Sequence, residues 1–347
     1  MPKPDLTFFT ELNAEALTAL FDDKSAINNL KALDAAVSLG VLDLSEARAK
    51  VVKRLNKAGI PMIAWLLLPE DEGYWFNIDN YEQAAAQYKA FRAWTEKYDL
   101  QWVGVGLDIE MDIQDIRTLL EQKQTRKFLS TLFQRYMNKR RVSRARQAYK
   151  ALVSQIHADG YLVESYHLPF ISEERRARST VLQRTVGLVD LQADREVLML
   201  YSSFFRPNGA AILWSYAPEA DSVGVGNTGG GVDVEGVINL EPLTWEEFSR
   251  DLRMCVMRQK PVHIFCLEGC IQQGFLSKLS TFDWDEPTAL PNAAVRIRVF
   301  RTGITTVLWL LERPWVILLT LASLISLSFL FKRDQQVDQV SDDAQEV

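Results

Sequence analysis

The sequence predicts a (β/α)8 barrel followed by one C-terminal transmembrane helix, and two observations support this prediction. Short apolar runs alternate with longer amphipathic stretches, and eight such runs precede residue 294. A separate uncharged apolar run lies near the C-terminal end. Strands that alternate with helices are typical of (β/α)8 barrels of about 250 residues. The 347-residue chain has room for such a barrel and for additional segments.

Each of the eight apolar runs is a predicted strand. In chain order they span residues 6–12, 37–43, 60–69, 102–110, 161–168, 196–204, 210–216 and 262–268. Helical patterns lie between most of them, for example from the expected N-cap Ser45 to the expected stop at Gly59. An open doubly wound sheet is the alternative, but no glycine fingerprint follows the first run. We therefore favour the closed barrel.

Residues 112–159 are too many for one barrel helix and predict a helical insertion between the fourth and fifth strands. The insertion contains the basic run 135–146, which is either a solvated helix face or a surface that lies on an anionic membrane leaflet. Residues 222–233 are rich in glycine and follow the predicted seventh strand. Their GxGxxG spacing resembles a nucleotide-binding fingerprint, but the run does not follow the first strand, so the fingerprint is weak. Barrels often bind phosphate after strands seven and eight, and a phosphate site is one interpretation. We favour the other, a mobile lid.

Composition excludes several classes of function. The net charge of −6 argues against nucleic acid as a partner. Three cysteines and three histidines, without CxxC spacing, argue against a disulfide framework and a structural zinc site. No cofactor is expected, and the N-terminal residues have no pattern of a secretion signal. The oligomeric state does not follow from the sequence.

The C-terminal part predicts membrane attachment of a barrel domain that spans residues 1–294. Residues 295–314 are basic and then apolar, as in a helix at the membrane interface. Residues 315–331 are uncharged and would cover roughly 26 Å as a helix, enough for a short span. Residues 332–347 form an acidic tail that we expect to be disordered. Arginines on the N-terminal side of the span favour a cytoplasmic barrel.

The fourth predicted strand, GVGLDIE, carries the candidate catalytic residues. Side chains alternate across a strand, so Gly104, Gly106, Asp108 and Glu110 point to the same side. Adjacent carboxylates in a low-dielectric environment raise a pKa and keep one acid protonated near neutrality. A general acid requires this protonation state. The alternative is that the two carboxylates cap a helix or bind arginines.

GLDIE resembles the second half of the strand-four motif of chitinase-type glycoside hydrolases of family 18, and LMLYS (198–202) resembles their strand-six motif. The resemblance implies that Glu110 protonates the glycosidic oxygen. It also implies that Asp108 orients an N-acetyl group of the substrate and that Tyr201 hydrogen-bonds that group. The chain departs from the family pattern at Val103, Gly106 and Ser202, where the family has aspartates.

Further residues near predicted strand ends complete the expected substrate site. Tyr74 and Trp75 follow the third strand, where aromatic rings stack on sugars. They could equally fill space between barrel helices. The other candidate substrate-binding residues are Glu11, Glu164, Tyr166, Glu219 and Glu268.

Three functions remain open at this point. The first is a membrane-anchored glycoside hydrolase with a carbohydrate or glycolipid substrate, including a retaining variant in which Glu219 or Glu268 is the nucleophile. The second is a divalent-metal enzyme on a phosphate or sugar-phosphate. The third is an inactive sugar-binding scaffold at the membrane. The metal site of the second hypothesis would use Glu11, Glu110, Glu164, His167 and Glu268.

Overall fold

A closed barrel of eight parallel strands forms the core of the computed structural model, which describes residues 2–120, 125–230 and 241–326. Each strand pairs with its neighbours in chain order, and the last strand pairs with the first. The barrel confirms the predicted (β/α)8 architecture. The strands are β1 (Leu6–Thr10), β2 (Ala36–Val41), β3 (Met62–Leu66), β4 (Gly104–Ile109), β5 (Leu162–His167), β6 (Arg195–Met199), β7 (Ser222–Gly226) and β8 (Val262–Phe265).

Helices surround the barrel and cover the outward faces of the strands. Their ends follow local capping chemistry, since Ser45 accepts a hydrogen bond from the backbone N–H of Arg48, as expected, and Thr244 forms a capping box with Glu247. The helices are α1 (Ala14–Asp22), α2 (Lys24–Ala32), α3 (Glu46–Lys57), α4 (Tyr81–Tyr98), α5 (Ile113–Leu120), α6 (Thr125–Met137), α7 (Lys139–Ala158), α8 (Ile171–Ala177), α9 (Val181–Val186), α10 (Gly209–Tyr216), α11 (Trp245–Met257), α12 (Leu267–Gln272), α13 (Phe275–Leu279), α14 (Ala294–Glu312) and α15 (Pro314–Ser326). Three of them, α5, α6 and α7, occupy the predicted helical insertion.

The seventh strand is not where the sequence predicted it. The apolar run 210–216 forms most of α10, and β7 lies instead within the segment 222–233 that was predicted as a lid. A short apolar run has no periodicity that distinguishes a buried helix from a buried strand. Residues 231–233 of the predicted lid lie outside the described residues.

Glycines weakened the sequence signal of β7 for a structural reason. A Cβ added to Gly224 or Gly226 would lie 3.2 or 3.3 Å from the ring of Tyr201. Both positions therefore leave room for an aromatic side chain that follows β6. Because glycine has low strand propensity, the same residues that accommodate Tyr201 hide the strand.

Aromatic side chains fill the barrel interior. Phe9 makes edge-on contacts with Trp65 and Tyr166, with ring centroids 5.2 and 4.9 Å away. Tyr166, on β5, lies over the neighbouring strand β4, where a Cβ on Gly106 would overlap its hydroxyl group and ring. Only glycine fits at that position. The interior of the barrel is thus filled by a packed aromatic layer.

Helix α14 packs against α8 and α10 through a buried charged cluster. The Arg301 Nε donates a 2.6 Å hydrogen bond to Glu173, which is fully buried, and the guanidinium lies 3.7 Å from the centroid of the Tyr216 ring. Tyr216 donates a 2.7 Å hydrogen bond to Glu173, and Arg301 also pairs with Glu219. The folded unit therefore continues beyond residue 294, the predicted end of the barrel domain.

The predicted transmembrane helix remains a prediction. Within the described part of the chain, no individual helix has both the length and the apolar character to cross a membrane, and only α14 and α15 together meet this requirement, with an 89° bend between them. Residues 327–331 of the predicted span and the predicted tail 332–347 lie outside the described residues.

The contact between α14 and the barrel leads to a stability prediction. Arg301→Ala removes the nearest cation of the buried Glu173 carboxylate and, among the described residues, leaves only Arg176, 3.9 Å away, so we expect the free energy of unfolding to fall by about 3–5 kcal/mol. Arg298→Ala, on an exposed position of the same helix, is the matched control and should change it by less than about 0.5 kcal/mol. Chemical denaturation measures both values, and equal effects would contradict the assigned role of Arg301.

Candidate active site

Acidic and aromatic residues converge at the rim formed by the C-terminal ends of the strands. Asp108 is the last inward-facing residue of β4, and Glu110 follows directly after that strand. Glu11 follows β1, Tyr201 follows β6 and Glu268 lies at the start of α12, just after β8. Catalytic residues of (β/α)8 barrels lie at this end of the strands.

Asp108 is the most buried acid at the rim, with 2% of its surface exposed. The indole N–H of Trp65 donates a 3.1 Å hydrogen bond to its Oδ2, whereas its Oδ1 is buried and has no hydrogen-bond partner among the described residues. Burial raises the pKa of Asp108 well above its ordinary value, and the negative charges of Glu110 and Glu11 raise it further. The Trp65 hydrogen bond opposes this shift only in part.

Glu110 is partly buried beside Asp108, and its backbone is fixed by the loop after β3. Its N–H donates a 3.1 Å hydrogen bond to the carbonyl of Phe76, and the Phe76 N–H donates a 2.9 Å bond to the carbonyl of Asp108. Burial raises the pKa of Glu110 to about 7. Desolvation, more than repulsion between like charges, is therefore the main reason that these acids hold protons near neutrality.

The aromatic loop after β3 closes over one side of the rim. The Tyr74 hydroxyl donates a 2.7 Å hydrogen bond to Glu11, and its ring makes an edge-on contact with Trp75 at 5.2 Å. The Glu11 N–H in turn donates a 3.4 Å hydrogen bond to Glu268. This chain of contacts joins residues that follow β1, β3 and β8.

Tyr201 lies on the opposite side of the acidic cluster. Its buried ring stacks on Phe265 with centroids 5.5 Å apart. Burial raises the pKa of the Tyr201 hydroxyl well above its usual value, and the negative charges of Asp108 and Glu110 raise it further. Tyr201 therefore stays a neutral hydrogen-bond donor. The pKa of Glu268 is raised as well, and burial is again the largest cause.

Two predicted substrate-binding residues lie deeper than the rim. Glu164 accepts hydrogen bonds or ion pairs from His263 at 3.0 Å and Arg195 at 3.1 Å, and from the Tyr166 hydroxyl at 3.2 Å. Burial acts to raise the pKa of Glu164, but its contacts with His263, Arg195 and Tyr166 together outweigh burial and hold the pKa below its ordinary value. Tyr166 also exchanges a 2.8 Å hydrogen bond with Ser38. Glu164 and Tyr166 therefore link neighbouring and opposite strands inside the barrel through hydrogen bonds.

Glu219 is at the wrong end of the barrel for a substrate site. It precedes β7 and pairs with Arg176 at 2.6 Å and with Arg301 on α14. The prediction depended on a seventh strand at residues 210–216, so the shift of that strand moves Glu219 to the opposite face. The retaining variant with Glu219 as nucleophile is therefore excluded, and Glu268 is the remaining candidate at the rim.

The predicted ligands of a divalent metal do not form one group, because Glu11, Glu110 and Glu268 lie at the rim whereas His167 and Glu164 do not. His167 faces the outer helices, where it lies 4.0 Å from Glu196, and Glu164 is paired inside the barrel. Among the residues that the structure describes, no group of three or more histidine, cysteine or acidic side chains has the geometry to hold a metal ion.

Trp65 is a site residue that the sequence analysis did not identify. Period-two alternation along β3 places Ile63, Trp65 and Leu67 on the inward side, and the register of β3 with β4 places Trp65 opposite Gly106. The alternation alone would have put this indole in the barrel. Its contact with Asp108 depends on the β3–β4 register, which the sequence does not give.

The known proteins that resemble this chain are distant from it in sequence and in structure. No protein-family model and no curated protein matches the chain. Similar solved structures include a GH18 chitinase from Pseudoalteromonas aurantia, with 10% identity over 80% of this chain and 99% of that chain and a TM-score of 0.43. The glycoside hydrolase domain of PgaB from Bordetella bronchiseptica has 9% identity over 80% and 98% of the two chains, with a TM-score of 0.46. A mutant tryptophan synthase α-subunit from Pyrococcus furiosus has 14% identity over 81% and 98%, with a TM-score of 0.39.

The raised pKa of Glu110 leads to a prediction about stability and pH. Because the folded-state pKa of about 7 exceeds the ordinary value of 4.5, the stabilisation from this carboxyl is present below the ordinary pKa and is lost as pH rises through about 7. Glu110→Gln avoids burial of a charge. We expect it to raise the free energy of unfolding by roughly 1–3 kcal/mol at about pH 8, and to change it little at about pH 4.

Denaturant unfolding at both pH values checks this expectation. Glu246→Gln is the matched control, because Glu246 is exposed on α11 and its substitution should matter by less than about 0.5 kcal/mol at either pH. A Glu110→Gln difference that does not vary with pH would contradict the raised pKa.

Proposed function

We propose that the chain is a glycoside hydrolase that cleaves its substrate with Glu110 as general acid and Asp108 as the neighbouring carboxyl group. The observation that carries this proposal is the position of Glu110, a partly buried acid with a pKa of about 7 at the rim of the barrel. Such an acid is half protonated near neutral pH, which suits proton donation to a leaving-group oxygen.

The surrounding residues have roles that fit this chemistry. Trp75 would stack on the apolar face of a sugar ring, and Tyr201 would donate a hydrogen bond to a substrate acceptor. Tyr74, which is buried and bonded to Glu11, would hold that acid in position. Asp108, two residues before Glu110, has a carboxyl oxygen without a hydrogen-bond partner among the described residues, and this oxygen would interact with the reacting sugar. The nucleophile is either Glu268 or an N-acetyl group of the substrate, which is what the resemblance to family 18 implies.

A sugar-binding scaffold without turnover is the second candidate. It is favoured by one observation at the end of β6, where the family resemblance expects an acid. Ser202 stands there instead, and its hydroxyl donates a hydrogen bond to the buried Asp251 away from the rim. Asp108 and Glu110 are retained at the end of β4, whereas the acid expected after β6 is replaced by Ser202. This combination would be consistent with sugar binding without catalysis.

We further propose that the protein works at a membrane and that its substrate is a glycolipid or another membrane-linked sugar. Support comes from α15, on which Trp315, Leu318 and Leu319 are at least half exposed to solvent. A contiguous apolar surface of this kind indicates contact with a membrane or a partner protein. The arginines that precede it favour the cytoplasmic side.

The catalytic proposal predicts the kinetics of a conservative variant. Glu110→Gln keeps the shape of the site but removes the titrating proton, so we expect kcat to fall by about 10²–10⁴-fold with little change in KM. In the parent protein, kcat should decline as pH rises through about 7, because the acid form is lost. Assays of nitrophenyl glycosides over a pH series measure both effects, with Glu246→Gln as the unaffected control.

Other variants separate the alternatives in the same assay. Tyr201→Phe should cost less than Glu110→Gln because it removes one hydrogen bond. Loss of activity with EDTA and recovery with Mg²⁺ would favour the metal hypothesis instead. Absence of turnover, together with sugar binding that Trp75→Ala weakens, would favour the scaffold. A Glu110→Gln variant with parental kcat would end the catalytic assignment.

Membrane attachment predicts a difference between two lengths of chain. The full chain should float with phosphatidylcholine vesicles and stay in the membrane pellet after alkaline carbonate extraction. A chain that ends after Arg313 should remain in the dense bottom fraction of the flotation gradient and in the carbonate supernatant. The cut leaves α14 in place, so the Arg301–Glu173 contact is retained and circular dichroism should show an unchanged fold. Carbonate extraction of the full chain would contradict attachment through this segment.

A further inference from the structure

A cleft of about 490 Å³ lies outside the barrel rim, between the loop after β3 and helices α6 and α7. Arg135, Arg141 and Arg144 line it, together with Asn138 and the single acidic lining residue Asp79. These residues belong partly to the basic run of the insertion, for which neither the fold nor the proposed catalysis gives a role. The lining carries three positive charges against one negative charge.

Two of the three arginines are held in place by acidic partners. Arg141 donates a 2.6 Å hydrogen bond from Nε to Asp79 and another 2.6 Å bond from Nη1 to the carbonyl of Arg184. Arg135 pairs with Asp115, which is not part of the cleft lining. Their guanidinium groups are therefore oriented before any ligand arrives, which lowers the entropic cost of binding.

Arg144 differs from the other two. It is exposed at the cleft, and it has no ion pair among the residues that the structure describes. A concave site with two fixed arginines and one uncompensated arginine favours an anion with several acceptor oxygens. Phosphate fits this description, because guanidinium groups bind its oxygens in a bidentate manner.

The cleft lies directly beside the point where the chain enters its apolar C-terminal helix. Tyr136 and Lys139, neighbours of the cleft residues Arg135 and Asn138, bind the last turn of α14 through the carbonyl of Leu311 and the carboxylate of Glu312. Helix α15 begins two residues after Glu312.

Apolar residues are exposed next to these basic ones. On α6, Phe133 and Met137 are 66% and 64% exposed, and Trp315 at the start of α15 is 58% exposed. A site for a soluble phosphate needs no apolar residues around it. A phosphate that is attached to acyl chains would place those chains against such residues.

We propose that this cleft binds the phosphate of an anionic lipid headgroup. The proposal depends on the proposed membrane attachment, but it does not depend on catalysis at Glu110. Arg144 contributes the uncompensated charge, Arg135 and Arg141 provide oriented donors, and the exposed apolar residues contact the outer part of the lipid. Bound lipid would hold the barrel rim at a fixed orientation to the bilayer.

Native mass spectrometry of the full detergent-solubilised chain tests the proposal, with phosphatidate and phosphatidylcholine as separate probes. We expect phosphatidate to remain bound at concentrations where phosphatidylcholine does not. Arg144→Glu should weaken phosphatidate binding by roughly 10-fold or more, since a charge-assisted contact is lost and a like charge is introduced. Turnover of a soluble nitrophenyl glycoside should be unchanged in this variant, which separates this test from that of the active site.

Lys150→Glu is the matched control. Lys150 is an exposed cation on the same helix, it does not line the cleft, and its substitution should change phosphatidate affinity by less than about 3-fold. An equal loss in Lys150→Glu would show diffuse attraction to a basic surface and overturn the cleft assignment. Equal retention of the two lipids, or displacement of phosphatidate by an equal concentration of inorganic phosphate, would also overturn it.

Discussion

Packing of the Tyr166 ring over Gly106 is the constraint on which the candidate site depends. The ring fits because Gly106 has no side chain, and together with Phe9 and Trp65 it closes the barrel interior. Trp65 of this layer donates a hydrogen bond to Asp108, which is 2% exposed. Burial raises the pKa of Asp108 and Glu110. The aromatic packing thus contributes to the desolvation that keeps these acids protonated.

The fold was predictable where a strand has a strong apolar pattern. Glycine at alternate positions did not hide β4, because GVGLDIE also carries Val105, Leu107 and Ile109 toward the helices. In β7 the same alternation includes only two valines, Val223 and Val225, so its apolar pattern is weak. The neighbouring run 210–216 has a stronger apolar pattern, although it forms a helix. In both strands glycine makes room for a tyrosine from the neighbouring strand, Tyr166 over β4 and Tyr201 over β7. That reason is tertiary, and the sequence pattern does not contain it.

The candidate site was predictable where side-chain direction follows from strand alternation. The prediction of Asp108 and Glu110 required only the two-residue period of a strand and the rule that barrel active sites lie at the C-terminal strand ends. The prediction for Glu219 was wrong because its placement depended on one misassigned strand. Glu164 lies inside the barrel, where Arg195 and His263 from other strands bind it. Trp65 was missed because its hydrogen bond to Asp108 depends on register between two strands. Contacts between elements were therefore the part that the sequence could not supply.

Arg313 is the only residue between α14 and α15, and this brevity has a mechanical consequence. Arg301, near the middle of α14, and Glu312, at its C-terminal end, pair with residues of α8, α9 and α7. The single-residue connection therefore transmits motion of α15 to α14 and to the helices that cover the barrel. Under the proposed membrane attachment, the position of α15 would set the height and tilt of the barrel rim relative to the bilayer.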